Sequence, residues 1–377
     1  MISPKRLFDL CVENKIDFFT GVPDSLMKDF CAVIEDIAEK EKHVISANEG
    51  NAIALASGYH LATGHAGLVY MQNSGLGNAI NPLASLADEK VYSIPMLLVI
   101  GWRGEEGVPD EPQHKKQGLV TLSLLDTLGI PYKVLSKDEE NIESLILDLS
   151  KNIFEKNIPH AIVVREGAFE KYNRNVLSSE KNLPTREKAL EVVIENIPKD
   201  SVVISTTGKL SRELFEIREK RNEGHENDFL TVGSMGHSSS IALGIALAKP
   251  ENKIFCLDGD GASIMHLGAF GVIGQSNPKN FTHILFNNGS HDSVGGQPTA
   301  SSNMDFLKIA EACGYKNVFE ATNESEILDC LGKMNNSLGP NFLEIEIKSG
   351  ARNDLGRPTR TPIENKQDFM EFLNDRE

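Results

Sequence analysis

Short apolar runs recur along the whole chain, separated by longer stretches with helical spacing of apolar residues. In the first half the runs are Phe18-Phe19-Thr20-Gly21, Val44-Ile45-Ser46, Gly67-Leu68-Val69-Tyr70, Met96-Leu97-Leu98-Val99-Ile100 and Ala161-Ile162-Val163-Val164. After a polar connection from Lys171 to Pro184 the pattern restarts with Val202-Val203-Ile204, Phe229-Leu230-Thr231-Val232, Lys253-Ile254-Phe255-Cys256-Leu257, His283-Ile284-Leu285-Phe286 and Phe342-Leu343-Glu344-Ile345-Glu346-Ile347. Nearly continuous apolar runs fit strands buried on both faces, and their alternation with helices implies parallel sheets covered on both sides. The fold class expected is therefore α/β, with two parallel-sheet domains of similar size, residues 1–180 and 181–377, and no middle domain or short-period repeat.

The chemistry-bearing residues fall where such strands end. Gly259-Asp260-Gly261 follows the Lys253 run and Asn287-Asn288 follows the His283 run, at the edge where open parallel sheets bind ligands. A carboxylate and a carboxamide oxygen suit a hard cation such as Mg²⁺, which takes oxygen ligands and shares its shell with phosphates and water. Asp260, Asn288 and a backbone carbonyl near Ser290 form that candidate set. Taken singly, a GDG sequence is also a common turn and an NN pair a common strand end.

Composition narrows the classes. The 377 residues include no apolar run long enough to span a membrane, and the start of the chain moves straight into an amphipathic pattern, so a cytoplasmic enzyme is expected. A formal charge of −16 disfavours nucleic acid and anionic membranes as partners. Cys11, Cys31, Cys256, Cys313 and Cys330 contain no C-x-x-C pair, which argues for oxygen rather than sulfur as metal ligand.

Each half carries further candidates. Asn48-Glu49-Gly50-Asn51 precedes the small-residue stretch Ala52 to Gly58, so Glu49 either caps a helix or is buried where a close approach favours its neutral form. Gly233-Ser234-Met235-Gly236-His237 opens a helix running from Ile241 to Ala248, and backbone N–H groups there could seat a diphosphate. Met235 is equally ordinary core filler. Thr206-Thr207-Gly208 offers a second hydroxyl turn for phosphate oxygens. The segment Lys348 to Lys366 contains Arg352, Arg357 and Arg360 between only two acids, Asp354 and Glu364, and reads either as a solvated tail or as an anion-binding turn. Asp24-Ser25 fits a helix cap or a proton-handling pair, and His114, beside Lys115 and Lys116, fits a surface residue or a proton donor.

Taken together these segments resemble the thiamine diphosphate-dependent 2-oxo acid decarboxylases across nearly the whole chain. Gly21-Val22-Pro23-Asp24-Ser25, the run from Asp110 through His114 to Gly118, and Gly350 through Arg352 and Arg357 to Pro358 are similar to the phosphonopyruvate branch of that family. The resemblance implies thiamine diphosphate and Mg²⁺ as cofactors. It implies Glu49 on N1′ of the aminopyrimidine, Met235 as the wedge that bends the cofactor, and Asp260, Asn288 and Ser290 at the metal. The cofactor set extends to Thr207, Gly208, Gly233, Ser234, Gly236, His237, Gly259, Gly261, Ala262 and His291. Asp24, Ser25 and His114 join Glu49 as catalytic, and Arg352, Arg357, Arg360 and Lys115 bind a small anionic 2-oxo acid. A homodimer or larger homo-oligomer and a place in phosphonate biosynthesis are further implied. The chain departs from the pyruvate decarboxylases in lacking a middle domain and in having Lys115, not a second histidine, after His114.

Overall fold

The computed structural model describes residues 1–139, 141–173 and 182–374, which form two compact units, each with one six-stranded sheet. The boundary expected near residue 180 lies outside the described residues. The first unit contains β1 Ile16–Gly21, β2 His43–Ile45, β3 Ala66–Gln72, β4 Met96–Gly101, β5 Tyr132–Leu135 and β6 His160–Val164. The second contains β7 Val202–Ser205, β8 Asp228–Leu230, β9 Ile254–Gly259, β10 Phe281–Asn287, β11 Asn317–Ala321 and β12 Asn341–Glu346.

Every strand pairing is parallel, as the unbroken apolar runs require. The first sheet runs β2-β1-β3-β4-β6-β5 and the second β8-β7-β9-β10-β12-β11, the same order repeated six strands later. Successive side chains point to opposite faces, so each sheet feeds two cores. In the first unit Leu68, Tyr70, Leu97 and Val99 pack on one side while Val69, Met71, Leu98 and Ile100 pack on the other. Each such fully buried side chain contributes about 1.5–3 kcal/mol relative to exposure.

The order turns around between β1 and β3, and again between β7 and β9. At such switch points the connections leave in opposite directions and open a crevice at the carboxyl ends. Gly21 to Ser25 and Gln72 to Gly75 flank the first crevice, and Thr206 to Gly208 and Gly259-Asp260 flank the second. Two strands were not signalled by the apolar pattern, β5 and β11. Both are short, half-exposed edge strands with no continuous apolar run.

Candidate active site

In the first unit Glu49 is the first residue of the helix Glu49–Thr63, but it does not cap it. Asn48 does, accepting from Asn51 N–H at 2.9 Å. Glu49 is left 5% exposed, with Asn78 Nδ2 donating to its Oε2 at 2.8 Å. Burial pushes its carboxyl pKa up, and the Asn78 bond only partly opposes that. The small residues of this helix allow close contact within its own unit: a Cβ at Gly50 would lie 2.8 Å from the Asn78 carbonyl oxygen. Gly75 is the neighbour that the sequence did not reveal, since a Cβ there would collide with the Glu49 carboxylate.

Asp24 is fully buried and caps the turn Ser25–Met27 through Leu26 N–H at 3.1 Å, while Gln72 Nε2 donates to it at 2.7 Å. Burial raises its pKa, against the bond from Gln72 and the charge of Arg103. Ser25 accepts from Arg103 Nη1 at 2.9 Å. Arg103 Nε reaches Asp110 at 2.8 Å, with Nη2 on the other carboxylate oxygen, and His114 Nδ1 contacts that oxygen at 2.8 Å. Gly104 N–H and Glu111 N–H complete the Asp110 shell at 2.8 and 2.7 Å. Burial works against ionisation here, but the bonds from Arg103, His114 and the backbone outweigh it and hold Asp110 far below the usual carboxylate range. His114 is thus buried on a carboxylate rather than a surface residue, whereas Lys115 is exposed on the same helix, Pro112–Thr127. Neither Arg103 nor the part played by Asp110 was legible from spacing.

In the second unit Asp260 opens the helix Asp260–Met265 at the end of β9 and is 3% exposed. Burial raises its pKa, with the hydroxyls of Thr299 and Ser301 pulling the other way. Thr299 donates to Asp260 through Oγ1 and to the Gly289 carbonyl through its N–H at 3.0 Å, so one residue ties Asp260 to the Asn288–Ser290 turn. Asn288 Oδ1 accepts from Ser290 N–H at 3.0 Å, and its amide donates to Asp292 at 2.7 Å. Asn287, by contrast, turns to Glu344 at 2.7 Å. Thr299, Ser301 and Asp292 are additions that no spacing rule would have picked.

The loop before the helix Ser238–Ala248 joins the same edge. Gly233 N–H donates to Thr207 Oγ1 at 3.1 Å, which draws the two hydroxyl and glycine turns together. Gly233, Ser234 and Gly236 all adopt positive φ, of 69°, 46° and 84°. A Cβ at Gly261 would stand 3.2 Å from the His291 ring and 3.4 Å from the Met235 methyl, and one at Gly236 would lie 2.9 Å from the Ala262 carbonyl oxygen. Burial pushes His291 down to about 4. His237 is exposed, its ring 4.3 Å from that of His266. Gly208, at φ 102°, precedes the helix Lys209–Lys220.

The tail is less cationic than its own sequence suggests. Arg352 pairs with Glu187 and Asp354, each at 3.1 Å, and with Glu216, while Arg360 pairs with Asp368 at 3.0 Å. Arg357 is exposed. Cys256, Asp258 and His283 also meet, within 4.8 Å, because His283 stands opposite Cys256 in the β9–β10 register. Burial holds the Cys256 thiol well above its usual pKa, and a protonated thiol is a poor metal ligand.

Comparison with known proteins fits this geometry. Residues 4–124 match the thiamine pyrophosphate enzyme N-terminal TPP binding domain and residues 206–345 the C-terminal TPP binding domain of the same enzymes. The phosphonopyruvate decarboxylase of Streptomyces viridochromogenes is 34% identical over 369 residues, covering 94% of this chain and 90% of that one. The phosphonopyruvate decarboxylase of Streptomyces hygroscopicus is 32% identical over 371 residues, with coverage of 94% and 90%. The sulfopyruvate decarboxylase of Methanosarcina acetivorans is 26% identical over 402 residues, with coverage of 99% and 98%. No helix among the described residues is long and apolar enough to cross a membrane.

Proposed function

The chain belongs to the thiamine pyrophosphate-dependent decarboxylases related to phosphonopyruvate decarboxylase, and from that premise we propose that it converts 3-phosphonopyruvate and a proton to phosphonoacetaldehyde and carbon dioxide, using Mg²⁺ to hold the cofactor's diphosphate. The observation that carries this reading is the pair of buried carboxylates, Glu49 and Asp260, each at the carboxyl edge of one of two sheets with the same strand order. The choice of phosphonopyruvate over sulfopyruvate is supported by the 34% and 32% relatives against the 26% one.

The residues present suit the groups proposed. Among the described residues Asp260 is buried with hydroxyl and backbone partners and is paired with no Lys or Arg, which leaves its charge to be balanced by a cation. Asn288 and Ser290 would complete the protein's share of the Mg²⁺ shell. Thr207, Gly208, Gly233, Ser234, Gly236, His237, Gly259, Gly261, Ala262 and His291 would surround the diphosphate and thiazolium, with Met235 packed toward Gly261 as the wedge. A Glu49 carboxyl biased toward its protonated form suits a hydrogen bond to a ring nitrogen, and Asn78 fixes its orientation.

When bound, thiamine diphosphate supplies the electron sink for the pair released as carbon dioxide departs. Glu49 would hold the aminopyrimidine through a hydrogen bond to its ring nitrogen, and the burial of Glu49 would keep water from competing for that proton. Asp24, Ser25 and His114 handle the proton delivered to the carbon that lost carbon dioxide. Arg357 and Lys115 remain candidates for the substrate's anionic groups. Arg352, which divides its guanidinium among Glu187, Glu216 and Asp354, and Arg360, which pairs with Asp368, stay in the proposed set with them.

Assembly as at least a homodimer and a cytoplasmic setting form part of the proposal. Exposed Val44, in β2, and Leu55, on the Glu49 helix itself, support the first, and sedimentation at the 41.4 kDa of a single chain would refute it. The functional test is the rate of aldehyde formation from phosphonopyruvate and from sulfopyruvate under identical conditions. Faster turnover of sulfopyruvate would overturn the substrate assignment.

A further inference from the structure

A 3-phosphonopyruvate carries a second anion that pyruvate lacks, so a chain that prefers it needs a placed cation for that group. Arg103 has the geometry for it. It follows β4 on the carboxyl edge of the first sheet, and its side chain is 21% exposed. Its backbone is clamped from both sides by buried Asn73, whose Nδ2 donates to the Arg103 carbonyl at 2.8 Å and whose Oδ1 accepts from Arg103 N–H at 3.2 Å. Asn73 opens the turn Asn73–Gly75, and Gly75, two residues on, is packed against the Glu49 carboxylate. One three-residue turn therefore sets both Arg103 and Glu49.

We propose that Arg103, with Ser25, binds the anionic 3-substituent of the substrate, and that Asp110 is the positioning residue that aims the guanidinium. A guanidinium has five N–H donors. Two of Arg103's go to Asp110 and one to Ser25, leaving two to present to an oxyanion. Ser25 accepts from Arg103, so its own proton is available for the same oxyanion, which moves Ser25 from proton handling to substrate binding and leaves Asp24 and His114 in the former role. Asp110 does not consume the positive charge alone, because its two oxygens also take His114 Nδ1, Gly104 N–H and Glu111 N–H. The resulting fork is rigid, and phosphonate oxygens match it as carboxylate oxygens do. The tail arginines have less to offer, with Arg352 shared among Glu187, Glu216 and Asp354.

This inference rests on the decarboxylase reading, and the test separates the two. Wild type, Arg103→Lys and the doubly neutral Arg103→Gln/Asp110→Asn are loaded with thiamine diphosphate and Mg²⁺ and assayed on phosphonopyruvate and pyruvate. The double variant leaves neither half of the Arg103–Asp110 pair charged without the other, and Arg103→Lys keeps the cation near buried Asp24, so the two together guard against simple misfolding. Both variants should keep the wild-type cofactor affinity. In both, kcat/KM for phosphonopyruvate relative to pyruvate should fall about 10- to 150-fold, the range for one lost charge-assisted hydrogen bond; in Arg103→Lys the loss should come mainly through KM, whereas in the double variant kcat should also fall, on both substrates alike, because His114 loses Asp110. Equal proportional losses on the two substrates would overturn the role of Arg103. A wild type inert toward phosphonopyruvate but active on pyruvate would instead overturn the functional reading.

Discussion

Gly75→Ala adds a single methyl at a position with ordinary backbone geometry, yet it should disable the enzyme. The added Cβ would stand 2.5 Å from Cγ and Cδ of Glu49, where ordinary contact is 3.4–4 Å. The Glu49 side chain must therefore retreat by about 1 Å, which breaks its 2.8 Å bond from Asn78, and overpacking of this kind costs about 1–3 kcal/mol. Displacement of a reacting group by about 1 Å costs on the order of 100-fold in rate. Steady-state kinetics on phosphonopyruvate should thus show kcat lowered by about that factor, with a modest fall in melting temperature. Because the methyl acts through Glu49, adding it to Glu49→Gln should cause little further loss of rate. A Gly75→Ala enzyme with kcat near wild type, or a double variant whose losses simply multiply, would refute the placement of Glu49 against that turn.

Glu49→Gln should lower kcat at least as far as Gly75→Ala does, to a small but measurable residual rate, while raising the melting temperature at neutral pH. Burial raises the native pKa of Glu49, so the wild type loses stability as pH rises from the usual glutamate value through the native one; the advantage of the variant should shrink in acid, and a pH-independent difference would count against it. Asp260→Asn should likewise stabilise the protein without metal, yet remove the rise in melting temperature that Mg²⁺ and thiamine diphosphate give together; an unchanged ligand shift would contradict the metal assignment. Asp110 has its native pKa depressed, so its stabilisation holds above the ordinary value of 3.8 and fades as pH falls below it. Asp110→Asn should accordingly cost about 3 kcal/mol in urea unfolding at neutral pH, toward the low end for a broken buried ion pair since Arg103 is partly exposed, and the deficit should narrow only below about pH 4. Arg352→Ala should reduce stability and leave the preference between phosphonopyruvate and pyruvate intact, and a selective loss on phosphonopyruvate would return that residue to the substrate site.

What the sequence disclosed follows from how each residue is packed. Central strands such as β4 and β10 are buried on both faces and so write unbroken apolar runs. β5 and β11 sit at or next to solvent on one edge of each sheet, and with half-exposed side chains they leave no such signature. Glu49 and Asp260 were visible because they stand directly after strands, where local order alone puts them at the ligand edge. Gly75 and Thr299 were hidden because each meets its partner, Glu49 or Asp260, across a sequence gap that only the fold closes, and Arg103, although it follows β4, was hidden because its contact with Ser25 spans 78 residues and no motif marks it. The tail shows the same limit from the other side. Its arginines look unopposed along the chain, but Glu187 and Glu216, more than a hundred residues away, fold back onto Arg352.

The central claim is tested most directly by following the products formed from 3-phosphonopyruvate by the purified chain, with thiamine diphosphate and Mg²⁺ present together or omitted one at a time. The account predicts phosphonoacetaldehyde and carbon dioxide in equal amounts with both present, and neither product above background when either is removed. Aldehyde formation that persists without thiamine diphosphate, or its absence with both cofactors bound, would contradict it.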